Sequence, residues 1–274
     1  MPSPALVAPN RLVPPYLLLD ARPGAEAFAQ DHLPGAIHAD LNLCLSSAKD
    51  PGADPARGGR HPLPAPGAWS RQLGAWGIVP GTRVVACDDA CGGNGAARLW
   101  WMLRASGHED VAVLDGGIQA AKEDGLPAPG ASLPPAPPYP EDRWLLPMAD
   151  LDLVDRLRSD PGWKVLDVRS GPRYRGETEP FDPVAGHIPG ALNLPWQENL
   201  GPDGRFKPAR ELRDMYLALL AGTPRNHLVV HCGSGVTACH TLLALEVAGL
   251  SGAALYVGSW SEWCRNPLPV ATRD

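Results

Sequence analysis

The stretch His231-Cys232-Gly233-Ser234-Gly235-Val236-Thr237-Ala238-Cys239-His240 sets a cysteine between the apolar run Leu228-Val229-Val230 and a longer apolar run that follows. The first run reads as a buried strand. The second, 238–250, reads as a helix with Cys239, Leu242, Leu243, Val247 and Leu250 near one face. Ligands of open α/β sheets sit where a strand's carboxyl end turns into the next helix, and Cys232 stands at that point. Gly233 and Gly235 allow successive backbone N–H groups to turn toward one centre. The helix start adds unpaired donors and the positive end of its dipole. Such surroundings favour thiolate over thiol, and the thiolate is the nucleophile. The same cradle would hold a persulfide. Free cysteine is more often an inert core residue, a reading that suits Cys239 on the apolar face, and Cys44, Cys91 and Cys264; for Cys232 the flanking glycines and the polar Ser234 weigh against it.

The elements that position this loop occur twice. Leu17-Leu18-Leu19-Asp20-Ala21-Arg22 returns as Lys164-Val165-Leu166-Asp167-Val168-Arg169, and His32-Leu33-Pro34-Gly35-Ala36 returns as His187-Ile188-Pro189-Gly190-Ala191. Arg83 to Asp88 matches His227 to Cys232, and Val113-Leu114-Asp115-Gly116-Gly117 matches Tyr256-Val257-Gly258-Ser259-Trp260. Four matches in one order describe a duplicated domain. Short Val- and Leu-rich runs alternate with helical stretches such as 97–106, which predicts parallel sheets covered on both faces. Between the halves the prolines of 126–144 fix φ and withhold donors, so this segment reads as an extended connector. The expected organisation is a non-catalytic first domain over 1–125, the connector, and a catalytic second domain over 145–274. In the first, Asp88 stands where Cys232 stands in the second, and a carboxylate cannot accept sulfur as a thiolate does. Cys87 is one position out of register and reads as strand-end packing.

Composition narrows the function. The 274 residues are 44% hydrophobic and 20% charged, enough apolar material for packed cores. A net charge of −6 without a block of Lys or Arg argues against nucleic-acid binding. No run of 18 apolar residues suggests a membrane span, and the proline-broken N-terminus does not read as a signal peptide, so the expected address is the cytoplasm. Six scattered cysteines without a C-x-x-C pair suit reduced thiols rather than a disulfide scaffold or a structural zinc site.

The tandem repeat, the paired Asp-x-Arg and His-[Ile/Leu]-Pro-Gly-Ala stretches, CGSGVTA at 232–238, RYRGETEP at 173–180 and LYVGSWSEW at 255–263 resemble the two-domain rhodanese family, in its 3-mercaptopyruvate/thiosulfate sulfurtransferase branch. The resemblance runs from about Leu17 to Leu268. It implies an α/β protein of two tandem rhodanese-like domains, each a parallel β-sheet flanked by helices. It also implies a sulfurtransferase in which Cys232 takes sulfur from a small-molecule donor, becomes a persulfide and passes the sulfur to a thiol, cyanide or protein-thiol acceptor, with no metal or organic cofactor. Thiosulfate-specific members place Arg-Lys after the cysteine; the neutral Gly233-Ser234 found here favours 3-mercaptopyruvate. Ser234 would bond the donor's carbonyl or relay a proton, and Gly233, Gly235, Val236 and Thr237 would line the donor site. A carboxylate-bearing donor calls for a guanidinium. Arg173 matches one family arginine, whereas the second, after the Glu-Pro pair, is replaced by Phe181-Asp182, which leaves Arg175 as the substitute. His61 matches a histidine that reaches the site in related enzymes; its usual carboxylate partner is replaced by Asn42, with Asp40 two residues earlier. His32, His187 and the two Asp-x-Arg pairs read as scaffold, and Trp196 and Trp260 as packing or pocket walls.

Two readings compete with the donor-using enzyme. A cysteine-dependent phosphatase needs an arginine separated from the cysteine by five intervening residues to grip phosphate, and Ala238 stands there. A persulfide relay or binding module, which passes sulfur between proteins without turning over a small donor, stays open.

Overall fold

The computed structural model describes residues 4–130 and 132–273, so Ala131 of the proline-rich connector lies outside the described residues. The strands are β1 (Leu6–Val7), β2 (Leu17–Asp20), β3 (Ile37–His38), β4 (Val84–Cys87), β5 (Val111–Leu114), β6 (Met148–Ala149), β7 (Lys164–Asp167), β8 (Leu192–Asn193), β9 (Leu228–His231) and β10 (Ala254–Tyr256). The helices are α1 (Ala25–Gln30), α2 (Pro66–Ala75), α3 (Ala96–Ala105), α4 (Gly117–Asp124), α5 (Leu151–Leu157), α6 (Gly171–Tyr174), α7 (Ala209–Leu220), α8 (Thr237–Val247) and α9 (Ser259–Trp263). Short single turns of tighter helix occur as well.

Two five-stranded sheets form, β1-β5-β4-β2-β3 and β6-β10-β9-β7-β8, and every strand pair is parallel. The second order is the first with each strand number raised by five, so both halves fold to one topology. The central strands β2, β4, β5 and β9 are buried along their whole length, as parallel strands covered on both faces must be. In the first unit Leu18, Val85, Ala112 and Leu114 pack with Ile118 and Ala121 of α4. In the second, Val165, Val229 and Tyr256 pack with Val154 of α5 and with Trp260 and Trp263 of α9. Asp150 caps α5 by accepting from the Leu153 N–H at 2.8 Å, a helix start that satisfies one otherwise unpaired donor.

The compact units are not simple halves of the chain. The first comprises residues 1–49, 64–146 and 202–205, and the second 50–63, 147–201 and 206–274. The connector belongs to the first unit: no helix or strand forms in its described residues, and the Ala136 and Tyr139 N–H groups donate to the carbonyls of Gly74 and Ser70 around α2. Segment 50–63, although early in the chain, belongs to the second. No helix among the described residues is long and apolar enough to cross a membrane.

Strand register aligns the repeats residue by residue. Asp20 of β2 pairs with Cys87 of β4, and Asp167 of β7 pairs with His231 of β9, which makes Cys87 the counterpart of His231 and Asp88 that of Cys232. The same comparison moves the last sequence match by one position. Ala86 pairs with Val113 and Val230 with Leu255, so Leu114 corresponds to Tyr256 and Gly117 to Ser259. Backbone geometry agrees, with φ +64° at Gly117 and +54° at Ser259. A second difference concerns α8, which sequence periodicity gave a single apolar face. Ala238 through Leu245 are all buried, because α7 and the turn at 196–199 cover what would have been the solvent side.

Candidate active site

The site is built within the second unit on the turn from β9 into α8. Cys232 is 2% exposed. Its backbone N–H donates to Ser259 Oγ at 3.1 Å, and that hydroxyl donates to the Tyr256 carbonyl at 2.9 Å, tying the ends of β9 and β10 together. The carbonyls of Cys232 and Gly233 accept from the N–H groups of Trp260 and Ser261 at 3.0 and 2.9 Å. Gly235 adopts φ +75°, and a Cβ there would lie 2.4 Å from the Val257 carbonyl oxygen. We expect Gly235→Ala to cost about 2 kcal/mol in chemical denaturation and to lower kcat/KM by on the order of tenfold or more, because the loop must shift to admit the methyl.

In the first unit the corresponding turn wraps the carboxyl of Asp88, whose pKa is raised by burial although the backbone N–H groups around it work the other way. There Asp88 Oδ1 accepts from the N–H groups of Ala90 and Gly92 at 3.0 and 2.8 Å, and Oδ2 from those of Asn94, Gly95 and Ala96, each at 3.0 Å. Five backbone donors converge on a buried carboxyl group at the strand end where Cys232 stands in the second unit.

Of the residues singled out in the sequence, Ser234 and His61 meet: Oγ and Nδ1 share a hydrogen bond of 2.8 Å. The Asp40 carboxylate is engaged within the first unit, accepting from the N–H groups of Gly24, Asn42 and Leu43 at 2.7, 2.7 and 3.0 Å. Arg173 is beside the loop, its Nη2 and Nη1 lying 3.2 and 3.3 Å from where a Gly233 Cβ would be. Arg175 is not brought there. It forks onto Glu177, Nε to Oε1 at 2.7 Å and Nη2 to Oε2 at 3.1 Å, on an exposed face. Arg173 lies on the short α6 and Arg175 follows its C-terminal end, and the two side chains diverge. The second guanidinium next to Gly233 is instead Arg60, whose Nη2 lies 3.3 Å from the same Cβ position. Gly235 and Val236 lead into α8, with Val236 at its N-cap and Thr237 its first residue. Trp260 is fully buried, its Nε1 donating to the Val184 carbonyl at 2.9 Å, and Trp196 packs edge-on against His240, so both serve packing.

Sequence reasoning missed Arg60, Ser259 and the carboxylates that aim the arginines. Asp182, fully buried at its side chain, takes Arg265 Nη1 at 2.7 Å and Arg60 Nη1, and lies 3.9 Å from Arg173 Nη2. Burial works against its charge, yet the Arg60 and Arg265 guanidinia hold its carboxyl below the usual carboxylate range. Glu179 accepts from Arg173 through Oε1 at 2.7 Å and Oε2 at 3.3 Å, and from Arg169 at 3.1 Å. Arg169 in turn forks onto Asp167. The chain Asp167, Arg169, Glu179, Arg173 thus runs from the sheet to the loop. In the first unit Asp20 and Arg22 repeat the same fork as pure scaffold. His187, buried and stacked on Tyr174, and His32, bonded to the Phe28 carbonyl, are likewise structural. His231, next to Cys232, is fully buried; burial lowers its pKa although Asp167 works the other way.

A rhodanese-like domain signature matches residues 8–124 and again 150–266. The chain belongs to the rhodanese family. It is 45% identical over 265 residues to the "Probable 3-mercaptopyruvate sulfurtransferase" of Pseudomonas aeruginosa, covering 94% of this chain and 90% of that one. It is 32% identical over 255 residues to the thiosulfate sulfurtransferase of Bos taurus, covering 90% and 82%. The solved structure of the 3-mercaptopyruvate sulfurtransferase from Leishmania major superposes with a TM-score of 0.76 at 32% identity, covering 91% of this chain and 70% of that one. The two halves of the chain are copies of one domain fold.

Proposed function

We propose that this rhodanese-family protein is a sulfurtransferase whose second unit moves sulfur from 3-mercaptopyruvate to a thiol or cyanide acceptor through a persulfide on Cys232. The observation that carries the choice of donor is the 2.8 Å Ser234–His61 pair beside the cysteine. The Cys232 thiolate attacks the donor's sulfur, an S–S bond forms, and the C–S bonding pair passes into the ketone as an enolate. A hydroxyl backed by an imidazole meets that developing charge and supplies the proton that completes pyruvate. Sulfite leaving from thiosulfate has no such need. An acceptor thiolate or cyanide then takes the outer sulfur and returns the Cys232 thiolate, a two-step covalent route.

Charge supports the same donor. The guanidinia of Arg60, Arg169, Arg173 and Arg265 are grouped with the carboxylates of Asp167, Glu179 and Asp182. These cations suit the carboxylate of 3-mercaptopyruvate. Arg173 offers that carboxylate its Nη1, which Glu179 leaves unused. All six cysteines are free, which fits a reducing compartment, and on that ground we assign the protein to the cytoplasm.

Steady-state kinetics with both donors, following pyruvate and sulfite release, test the reading. Ser234→Ala is expected to lower kcat with 3-mercaptopyruvate by about 10²-fold, and His61→Ala to cost about as much, with the double variant no worse than either single one because the two act as a unit. With thiosulfate the Ser234→Ala change should stay within about threefold. A wild-type preference for thiosulfate would overturn the donor assignment.

A further inference from the structure

We infer that Arg60, carried by segment 50–63, is the second carboxylate-binding arginine of the donor site and forms a two-guanidinium clamp with Arg173. The inference rests on the carboxylate-donor reading above and names how that donor is selected. Arg60 Nη2 and Arg173 Nη1 each lie 3.3 Å from the position a Gly233 Cβ would take, so two donors from distant parts of the chain border one point next to Cys232. Neither nitrogen is used in the bonds that hold its residue, since Arg60 binds Asp182 through Nη1 and Arg173 binds Glu179 through Nε and Nη2. Both guanidinia also lean on Phe181, with Cζ atoms 5.3 and 5.2 Å from its ring centroid, a shelf that fixes their planes. Both are partly accessible, with side chains 23% and 16% exposed, so a small anion can reach them.

The segment that bears Arg60 is anchored for this task. Gly58 N–H donates to Glu262 Oε1 at 2.7 Å, and Asn266 Nδ2 donates to the Ala56 carbonyl at 3.0 Å. Gly59, at φ +78°, passes so close to Gly258 that a Cβ would lie 2.3 Å from its carbonyl oxygen. A side chain at 59 would therefore lift the segment off, and with it the guanidinium next to it.

Two measurements decide the matter on Arg60→Ala, Arg60→Lys and Arg173→Ala. With 3-mercaptopyruvate, Arg60→Ala should raise KM about 10- to 100-fold with kcat within about threefold, and lysine should restore only part, since it lacks the planar fork. Separately, alkylation of Cys232 by iodoacetate and by iodoacetamide is followed by the mass of its peptide. The sulfur displaces iodide in both, but only iodoacetate brings a carboxylate, so the iodoacetate-to-iodoacetamide rate ratio should fall about tenfold in Arg60→Ala and in Arg173→Ala. A general loosening of the loop would change both rates and leave the ratio alone. If the ratio and KM are unchanged in Arg60→Ala but altered in Arg173→Ala, the clamp is wrong while the donor reading stands. If 3-mercaptopyruvate is not turned over at all, the donor reading fails, and the alkylation ratio still decides whether Arg60 selects carboxylates.

Discussion

Replacing Cys232 with serine is expected to lower turnover of any sulfur donor by at least about 10³-fold while leaving the thermal midpoint close to that of the parent. A hydroxyl is almost wholly protonated at neutral pH and forms no stable counterpart of a persulfide, so the covalent step is lost rather than slowed. The fold should not notice, because the bonds that pin the turn use the backbone of residue 232: its N–H to Ser259 Oγ and its carbonyl from Trp260 N–H. Donor turnover and thermal melts on the same preparation check both halves. Retention of more than a small fraction of activity would mean that sulfur travels by another residue.

The second large effect is on stability. Arg169→Met should destabilise the second unit by about 3–5 kcal/mol, measured by urea unfolding, because it removes the partner of a buried charge. The Arg169 side chain is 1% exposed, and it serves Asp167, which is fully buried, and Glu179, which is 3% exposed at the side chain. Methionine fills much of the volume yet leaves both carboxylates without this cation. An activity consequence follows, since Glu179 orients Arg173: any variant protein that remains folded should show a raised KM for the donor. A loss below about 1 kcal/mol would show that the carboxylates find other partners.

Much of this was legible in the chain. Alternating strand and helix patterns, repeated in order, gave the two α/β domains and placed Cys232 at a strand end, because local hydrophobic periodicity and glycine punctuation are written in contiguous residues. What escaped notice was written across distance. Arg60 and Asp182 are 122 positions apart, and neither has a neighbour in sequence that announces the pair. Arg175 stood in for the missing second family arginine because it lies in the same motif as Arg173, but it follows the end of α6 and its side chain turns to its local partner Glu177. Ser259 was hidden by a one-residue misalignment. A serine is not expected in the left-handed conformation that Gly117 adopts in the other unit. Its hydroxyl accounts for its presence, since it spans the two strand ends that hold the Cys232 turn. The one-faced reading of α8 failed for a related reason: periodicity reports the face turned to the sheet but not the elements that close over the other side.

The most direct test of the central claim is the mass of the Cys232 peptide after brief incubation with 3-mercaptopyruvate and, separately, with thiosulfate, digested without reductant. One added sulfur on Cys232, acquired faster from 3-mercaptopyruvate and absent in Cys232→Ser, is the predicted result. An unmodified Cys232 with both donors, or sulfur found instead on Cys239 or Cys264, would contradict it, and the first of these would turn attention to a persulfide delivered by a protein partner.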